Sequence, residues 1–549
     1  MLVLSACSQS TPTPSPSTAP TTPAKPAAST TAPAPPPSTS QAPATTAPVS
    51  SPPPASTSPA AGQPQTGGTL KLSRFTADGV ALGDPLKHAG MNSWFESCPA
   101  LETLLRADAQ GVLIPWLATA WKEDPANKAI TLTIRQGVKF HDGTTLDATA
   151  VAWNLQHLLD GKHPATARFS SIDVVDANNV RINLKQWDST ALGNLAGDAG
   201  QIISPAAYQK NGPDVAANTP VGTGPFLFNK WDKNSIVVYD KNPNYWIKGQ
   251  PYLDHIQWLI IPDMNSKALS FQNKELDVVL TLDVPQISTL NKAGYTTLHQ
   301  TVGSGADGYV PSSGDPNSPW SKLAVRQAAQ YAINTPEYTT AIYGTEGAPA
   351  NQFVGKNSWA YNANVVGYPF NPDKAKQLLT QAGYPTGFKS MIYGSQDQTF
   401  NKRALAIQAY LKVVGINLDV NIISDAQARD IYTQGKTWDG LIVDSLGTST
   451  DVVDTFSRYY TGGGLMYKSL ATPDDWVKGV QDAVAAPDFA SKQKLTQGLM
   501  TTFVDKYCML ILLATRYDNA FEQTYVRNSG ILKSANTQMW TPEAAWISK

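Results

Sequence analysis

The chain has 549 residues and carries 42 Lys and Arg against 43 Asp and Glu, a formal net charge of −1. A length several times the roughly 100–200 residues of a typical domain allows more than one core. With no basic stripe in a near-neutral chain, electrostatics speaks against nucleic acid or an anionic lipid surface as the partner.

The first feature is Leu4-Ser5-Ala6-Cys7, an aliphatic residue and two small ones before a cysteine. That is a lipobox, and it makes Cys7 the expected site of lipid attachment. A secretory signal needs a basic start and about 7–15 apolar residues, whereas only Met1-Leu2-Val3 precede the box, so residues 1–7 read as a truncated signal. Residues 8–67 are nearly all Pro, Ser, Thr and Ala, with Lys25 their only charge and no aromatic residue. Such a segment buries too little apolar surface to offset its chain entropy and reads as a disordered, semi-rigid linker. No later segment reaches the ~18–20 apolar residues of a spanning helix, so contact with a membrane is expected through the lipid anchor only.

Patterned sequence starts at Gly67-Gly68-Thr69. Leu70 to Phe75 alternates as a strand, and Ile130 to Arg135 and Val180 to Lys185 do the same. Between them the chain reads Pro115-Trp116-Leu117-Ala118, Trp121, then Gly137 to Gly143 with a His141-Asp142-Gly143 corner, then a helix through Ala148 to Trp153. His141-Asp142 is read as a turn held by side-chain hydrogen bonds, in preference to an acid–base pair. Pro220 to Phe226 (PVGTGPF) is a tight turn feeding a strand at Phe226 to Asn229; no Lys-Ser/Thr follows to make it a phosphate loop. Asn242-Pro243-Asn244-Tyr245-Trp246 comes next, and Ser266 to Leu276 reads as a helix leading into the strand Asp277 to Leu280.

Beyond these, Asn371-Pro372 caps a helix whose apolar stripe is Ala375, Leu378, Leu379 and Ala382. Phe400, Ala404, Ile407, Leu411 and Val414 recur at helical spacing, and Ile416 to Ile422 alternates as a strand. Helices alternating with strands predict an α/β architecture. None of the six histidines lies in an HExxH or Cys/His metal spacing, and no Gly-x-Ser-x-Gly elbow or GxGxxG fingerprint occurs. Cys98 and Cys508 each sit in apolar surroundings and are read as unpaired.

The PWLA, FHDG, GTGP and NPNYW segments, in this order and spacing, resemble the large extracytoplasmic solute-binding proteins of the peptide/nickel (dipeptide–oligopeptide) ABC-importer family, in lipoprotein form. The resemblance implies a two-lobe periplasmic-binding-protein (Venus-flytrap) fold with an enlarged first lobe. Residues 68–306 would form lobe I, 307–510 lobe II, and 511–549 a return to lobe I. It implies a monomeric, membrane-anchored substrate-binding protein outside the cytoplasmic membrane. Such a protein closes its lobes on a short peptide or other small molecule, delivers it to the permease subunits, and uses no cofactor or metal. The alternatives are a ligand-sensing surface receptor without transport and a surface-anchored hydrolase; the hydrolase would need a nucleophile–base pair that no motif supplies.

A binding crevice needs aromatic walls and a few placed polar groups. Aromatic residues at strand ends and crossovers are the candidates: Phe75, Trp94, Tyr309, Tyr393 and Tyr507. Peptide-binding relatives carry a Trp and an Asp after one lobe-II strand, the Asp pairing with the peptide's ammonium. Here Ser445 and Thr448 stand in those places, with Asp444 adjacent as a substitute and Asp451 matching a later Asp of the motif. Hydroxyls in place of a carboxylate suit a neutral, N-blocked or non-peptide ligand, because a buried ammonium is costly unless paired.

Overall fold

The computed structural model describes residues 62–548 apart from 75–80, 89–90, 301, 303–304, 396–397, 425–426, 428–429, 432–436, 445–450, 463–466 and 537–538. Cys7, Phe75, Ser445 and Thr448 therefore lie outside the described residues.

The first lobe is organised by a seven-stranded sheet. At its centre Thr69–Ser73 runs parallel to His255–Leu259 on one side and to Val278–Leu280 on the other. Leu70 and Leu72 point into the core while Lys71 is exposed, as the alternation requires. A second sheet of four antiparallel strands completes this lobe: Ala118–Asp124, Ala129–Ile134, Asn179–Leu184 and Phe169–Val174. Helix Ala148–Asp160 covers it, packing Val151 and Leu155 onto Ile130, Leu132 and Val180. Asp147 caps that helix by accepting from the Ala150 amide at 2.8 Å.

The second lobe is a six-stranded sheet in the order Gly347–Pro349, Ile511–Arg516, Ala306–Pro311, Leu441–Asp444, Phe388–Ser395, Ile416–Ile423. Apolar clusters cover both faces. Val310, Ile442 and Leu512 point into one, and Tyr309, Leu441, Val443, Ile511 and Leu513 into the other. The predicted helical stripe is buried here at Ala404, Ile407, Leu411 and Val414. Asn371 caps helix Pro372–Gln381 through the Lys374 amide. Cys98 and Cys508 are buried free thiols, one in each lobe, and burial pushes them up to about 11 and about 12.

The expected return to lobe I at 511 is corrected by the sheet pairing. Ile511–Arg516 lies antiparallel to Ala306–Pro311 and Gly347–Pro349 in the second lobe. The chain enters the seven-stranded sheet only at Asp518–Glu522, beside Val278–Leu280 and Leu298–Gln300.

The sequence motifs of the first lobe converge on one buried carboxylate. Glu102, 3% exposed, accepts from Trp116 Nε1 (2.8 Å), Thr223 Oγ1 (2.8 Å), Tyr245 OH (2.8 Å) and Trp246 Nε1 (3.0 Å). Burial raises its pKa, against Arg106 and these donors. The glycines of the GTGP turn serve close packing: a Cβ on Gly222 or Gly224 would lie 2.3 Å from Ala100 O or 2.5 Å from Pro99 O. His141 joins the same turn, its ring Nε2 lying 3.0 Å from Gly224 O. Asp142 accepts from the Thr144 amide at 3.0 Å, the turn expected at this corner.

Candidate functional site

In open α/β sheets ligands bind in the crevice outside the carboxyl ends of the strands. Both sheets of this chain turn those ends toward the same junction. In the first lobe the parallel strands end at Ser73, Leu259 and Leu280. In the second, Phe388–Ser395 runs parallel to Ile416–Ile423 and to Leu441–Asp444. Gly308 pairs with Asp444, so the second lobe's carboxyl edge lies where its chain enters. The two crossovers, Gln300 to Ala306 and Arg516 to Asp518, join these edges and form the hinge.

Charged side chains are held at this junction by their neighbours. Arg74 follows the central strand of the first lobe and is 5% exposed, with its guanidinium 4.2 Å from the centre of the Phe95 ring. Burial lowers it to about 10, opposed by Asp518 and Glu96. Lys267 donates to Arg74 O at 2.8 Å and is itself lowered to about 8 by burial. Opposite them, Asp307 begins the second lobe. Its Oδ2 accepts from Tyr343 (2.8 Å) and Tyr338 (3.1 Å), and its Oδ1 pairs with Arg403. Across the hinge, His299 of lobe I meets Glu346 of lobe II at 3.0 Å.

The predicted wall residues scatter. Trp94 sits half-buried on the first-lobe helix Met91–Ser97, where its carbonyl accepts from Ser97 Oγ and Cys98 Sγ. Tyr393 lies half-buried on the second lobe's sheet and is raised by burial and by Asp439. Asp444 ends its strand at the crevice edge. Tyr309 is corrected from wall to core: it is fully buried among Trp320, Val325 and Ile392. Tyr507 is corrected as well. It precedes the strand Ile511–Arg516, whose six residues at ~3.3 Å each place it roughly 20 Å from the crossover. Its hydroxyl bonds Asp475 at 2.5 Å on the outer surface.

Sequence reasoning missed Arg74, Asp307 and Arg403. The available signals were a charge directly after an alternating strand and a charge set beside an apolar helical stripe.

The lobes meet again away from the hinge sequence. Arg168 of the first lobe pairs with Asp454 of the second, and Ser189 N donates to Val484 O at 2.8 Å. Trp187 Nε1 donates to Ala486 O at 2.8 Å, and Lys492 Nζ to Ser189 O at 2.9 Å. The chain holds its lobes together at both ends of the interface, as a closed clamshell does.

Comparison with known proteins agrees with this geometry. Residues 112–467 match the family described as "Bacterial extracellular solute-binding proteins, family 5 Middle". The glutathione-binding protein GsiB of Escherichia coli K12 is 30% identical over 367 residues, 66% of this chain and 70% of that protein. Among solved structures, the periplasmic binding protein DppA of Helicobacter pylori, in complex with the peptide STSA, superposes with a TM-score of 0.70. It is 23% identical, over 88% of this chain and 99% of that one. The binding protein AgaA of A. tumefaciens R10, in complex with agropinic acid, gives 0.68 at 23% identity, over 88% and 99%.

Proposed function

We propose that this chain, which belongs to family 5 of the bacterial extracellular solute-binding proteins, captures a peptide-like or other small organic solute in the crevice between its lobes and delivers it to an ABC permease from a lipid anchor at Cys7. It is a binding protein, not an enzyme. One observation carries the reading: two open sheets, joined by two crossovers, turn their carboxyl edges toward one junction. Hinge motion about Gln300–Ala306 and Arg516–Asp518 then encloses the ligand, which shifts the open–closed population by its differential affinity.

The relatives bracket the chemistry. GsiB is named for glutathione, DppA was solved with a peptide, and AgaA with agropinic acid. With Ser445 and Thr448 where peptide binders carry Trp and Asp, a solute lacking a free α-ammonium fits this chain best. Asp444, adjacent to that stretch in sequence, is the carboxylate proposed to take over the pairing.

Native mass spectrometry of the gently purified protein, before and after unfolding and refolding, tests this reading. A co-purified small molecule that is lost on refolding and restores compaction when added back supports capture. A chain that retains nothing and responds to no member of a peptide, glutathione and opine panel sinks it. Radiolabelled palmitate incorporated by the wild type and not by Cys7→Ser tests the anchor separately.

A further inference from the structure

A cavity of about 200 Å³ opens between the lobes where strands Leu113–Pro115 and Ala118–Asp124 of the first face helix Phe489–Thr501 of the second. Its walls are mostly apolar, with the indoles of Trp121 and Trp359 and the side chain of Leu192. The charges around it are unequal. Lys492 is already matched by Asp451, with Ser189 O as a further acceptor. Glu123 and Asp488 also line the space and add two carboxylates beyond that neutral pair. Asp488 is exposed and spends one oxygen on capping its helix at the Ser491 amide (2.7 Å). Glu123 stands beside Trp121, half-buried, and burial raises its pKa against the pull of Lys492.

Volume and charge together select a ligand class. An apolar cavity of ~150 Å³ accepts a benzene ring, so this one takes a single ring with a short tail and no peptide. Indole faces pack well against an aromatic ring, and a carboxylate beside them pairs with an ammonium carried on that ring. An anion would meet two carboxylates, and Lys492, the one lining cation among the described residues, is already paired.

We propose that this interlobe cavity is a binding site for a small organic cation, a primary ammonium on one apolar ring, with the ring against Trp121 and Trp359 and the ammonium at Glu123 and Asp488. The site does not depend on what the crevice carries. Because both lobes supply its walls, an occupant favours the closed arrangement in proportion to its preference for it.

Calorimetric titration of the full chain at low salt tests this with three matched probes: 2-phenylethylammonium, the neutral 2-phenylethanol and anionic phenylacetate. The ammonium is expected to bind at least tenfold tighter than the alcohol, and phenylacetate weakest. Glu123→Gln should weaken the ammonium about tenfold and leave the alcohol unchanged, while Leu113→Phe, which narrows the cavity, should weaken both. Thermal melts establish that both variants are folded. No heat with any probe, equal affinity for ammonium and alcohol, or an unaltered ammonium affinity in Glu123→Gln overturns the proposal.

Discussion

The guanidinium of Arg168 donates through Nη2 to Asp454 Oδ1 at 2.5 Å across the two lobes, while its Nε pairs with Asp188 of its own lobe. Burial pulls this arginine down, but the two carboxylates outweigh it and hold it above its ordinary value. The pair is mostly buried, at 17% and 6% side-chain exposure, so solvent screens it little. Removing one partner of a buried pair costs about 3–5 kcal/mol, and Asp188 keeps part of the compensation here. Asp454→Asn is therefore expected to disfavour closure by roughly 2 kcal/mol without unfolding either lobe. Small-angle scattering should show a larger maximum dimension, and Arg168→Met combined with it should add less than its separate effect. Identical scattering curves would mean that the contact does not help to hold the lobes shut.

Glu102 gives a sharper test of the first lobe. Its two oxygens receive four donors from three separate motifs, and Arg106 lies 3.9 Å away while stacking on Trp116. A glutamine keeps the shape but offers one acceptor oxygen, and its NH₂ faces two donors. Buried donors left without acceptors cost about 1–3 kcal/mol each, so Glu102→Gln should lower stability to urea by roughly 2–4 kcal/mol. A midpoint within error of the wild type would show that the donors find other partners.

This hub also shows where legibility ends. PWLA, GTGP and NPNYW were readable as local signals, as were the strand alternation at Leu70 and Leu72 and the cap at Asn371. Their common partner was not, because Glu102 sits up to 144 residues from its donors and no local pattern announces a buried carboxylate. The lobe boundary failed for a different reason. Ile511–Arg516 is buried over its first five residues, and an unbroken apolar run carries no period that assigns it to one sheet or the other. The misplacement of Tyr507 follows from that error. At the crevice, Arg74 and Arg403 owe their positions to packing across elements, which no local pattern announces.

Lys274 holds its backbone at φ of 61°, in the left-handed region that favours glycine. A side chain there costs about 1–2 kcal/mol in the native state, offset in part by the extra freedom glycine has when unfolded. Lys274→Gly should raise stability by roughly 0.5–1 kcal/mol, seen as a higher urea midpoint with an unchanged slope. A lower midpoint would mean that the Lys274 side chain contributes more than the strain it causes.

His141 makes the pH dependence specific. The Gly224 carbonyl can only accept, so the ring's Nε2 carries the hydrogen, and burial holds the pKa down at about 4. Above about pH 6.5 the imidazole is neutral in both folded and unfolded chains, and it adds no slope. As pH falls from there toward 4, the unfolded chain takes up a proton that the native one refuses, so stability declines. At ~1.4 kcal/mol per unit the loss approaches about 3 kcal/mol and levels off once the native ring protonates. His141→Gln retains a donor for Gly224 O and removes the titration. Urea midpoints measured from pH 7.5 to 4 should then fall more steeply for the wild type, with carboxylate contributions common to both chains cancelling in the difference. Parallel curves would mean that the native fold holds the protonated ring as well as the neutral one.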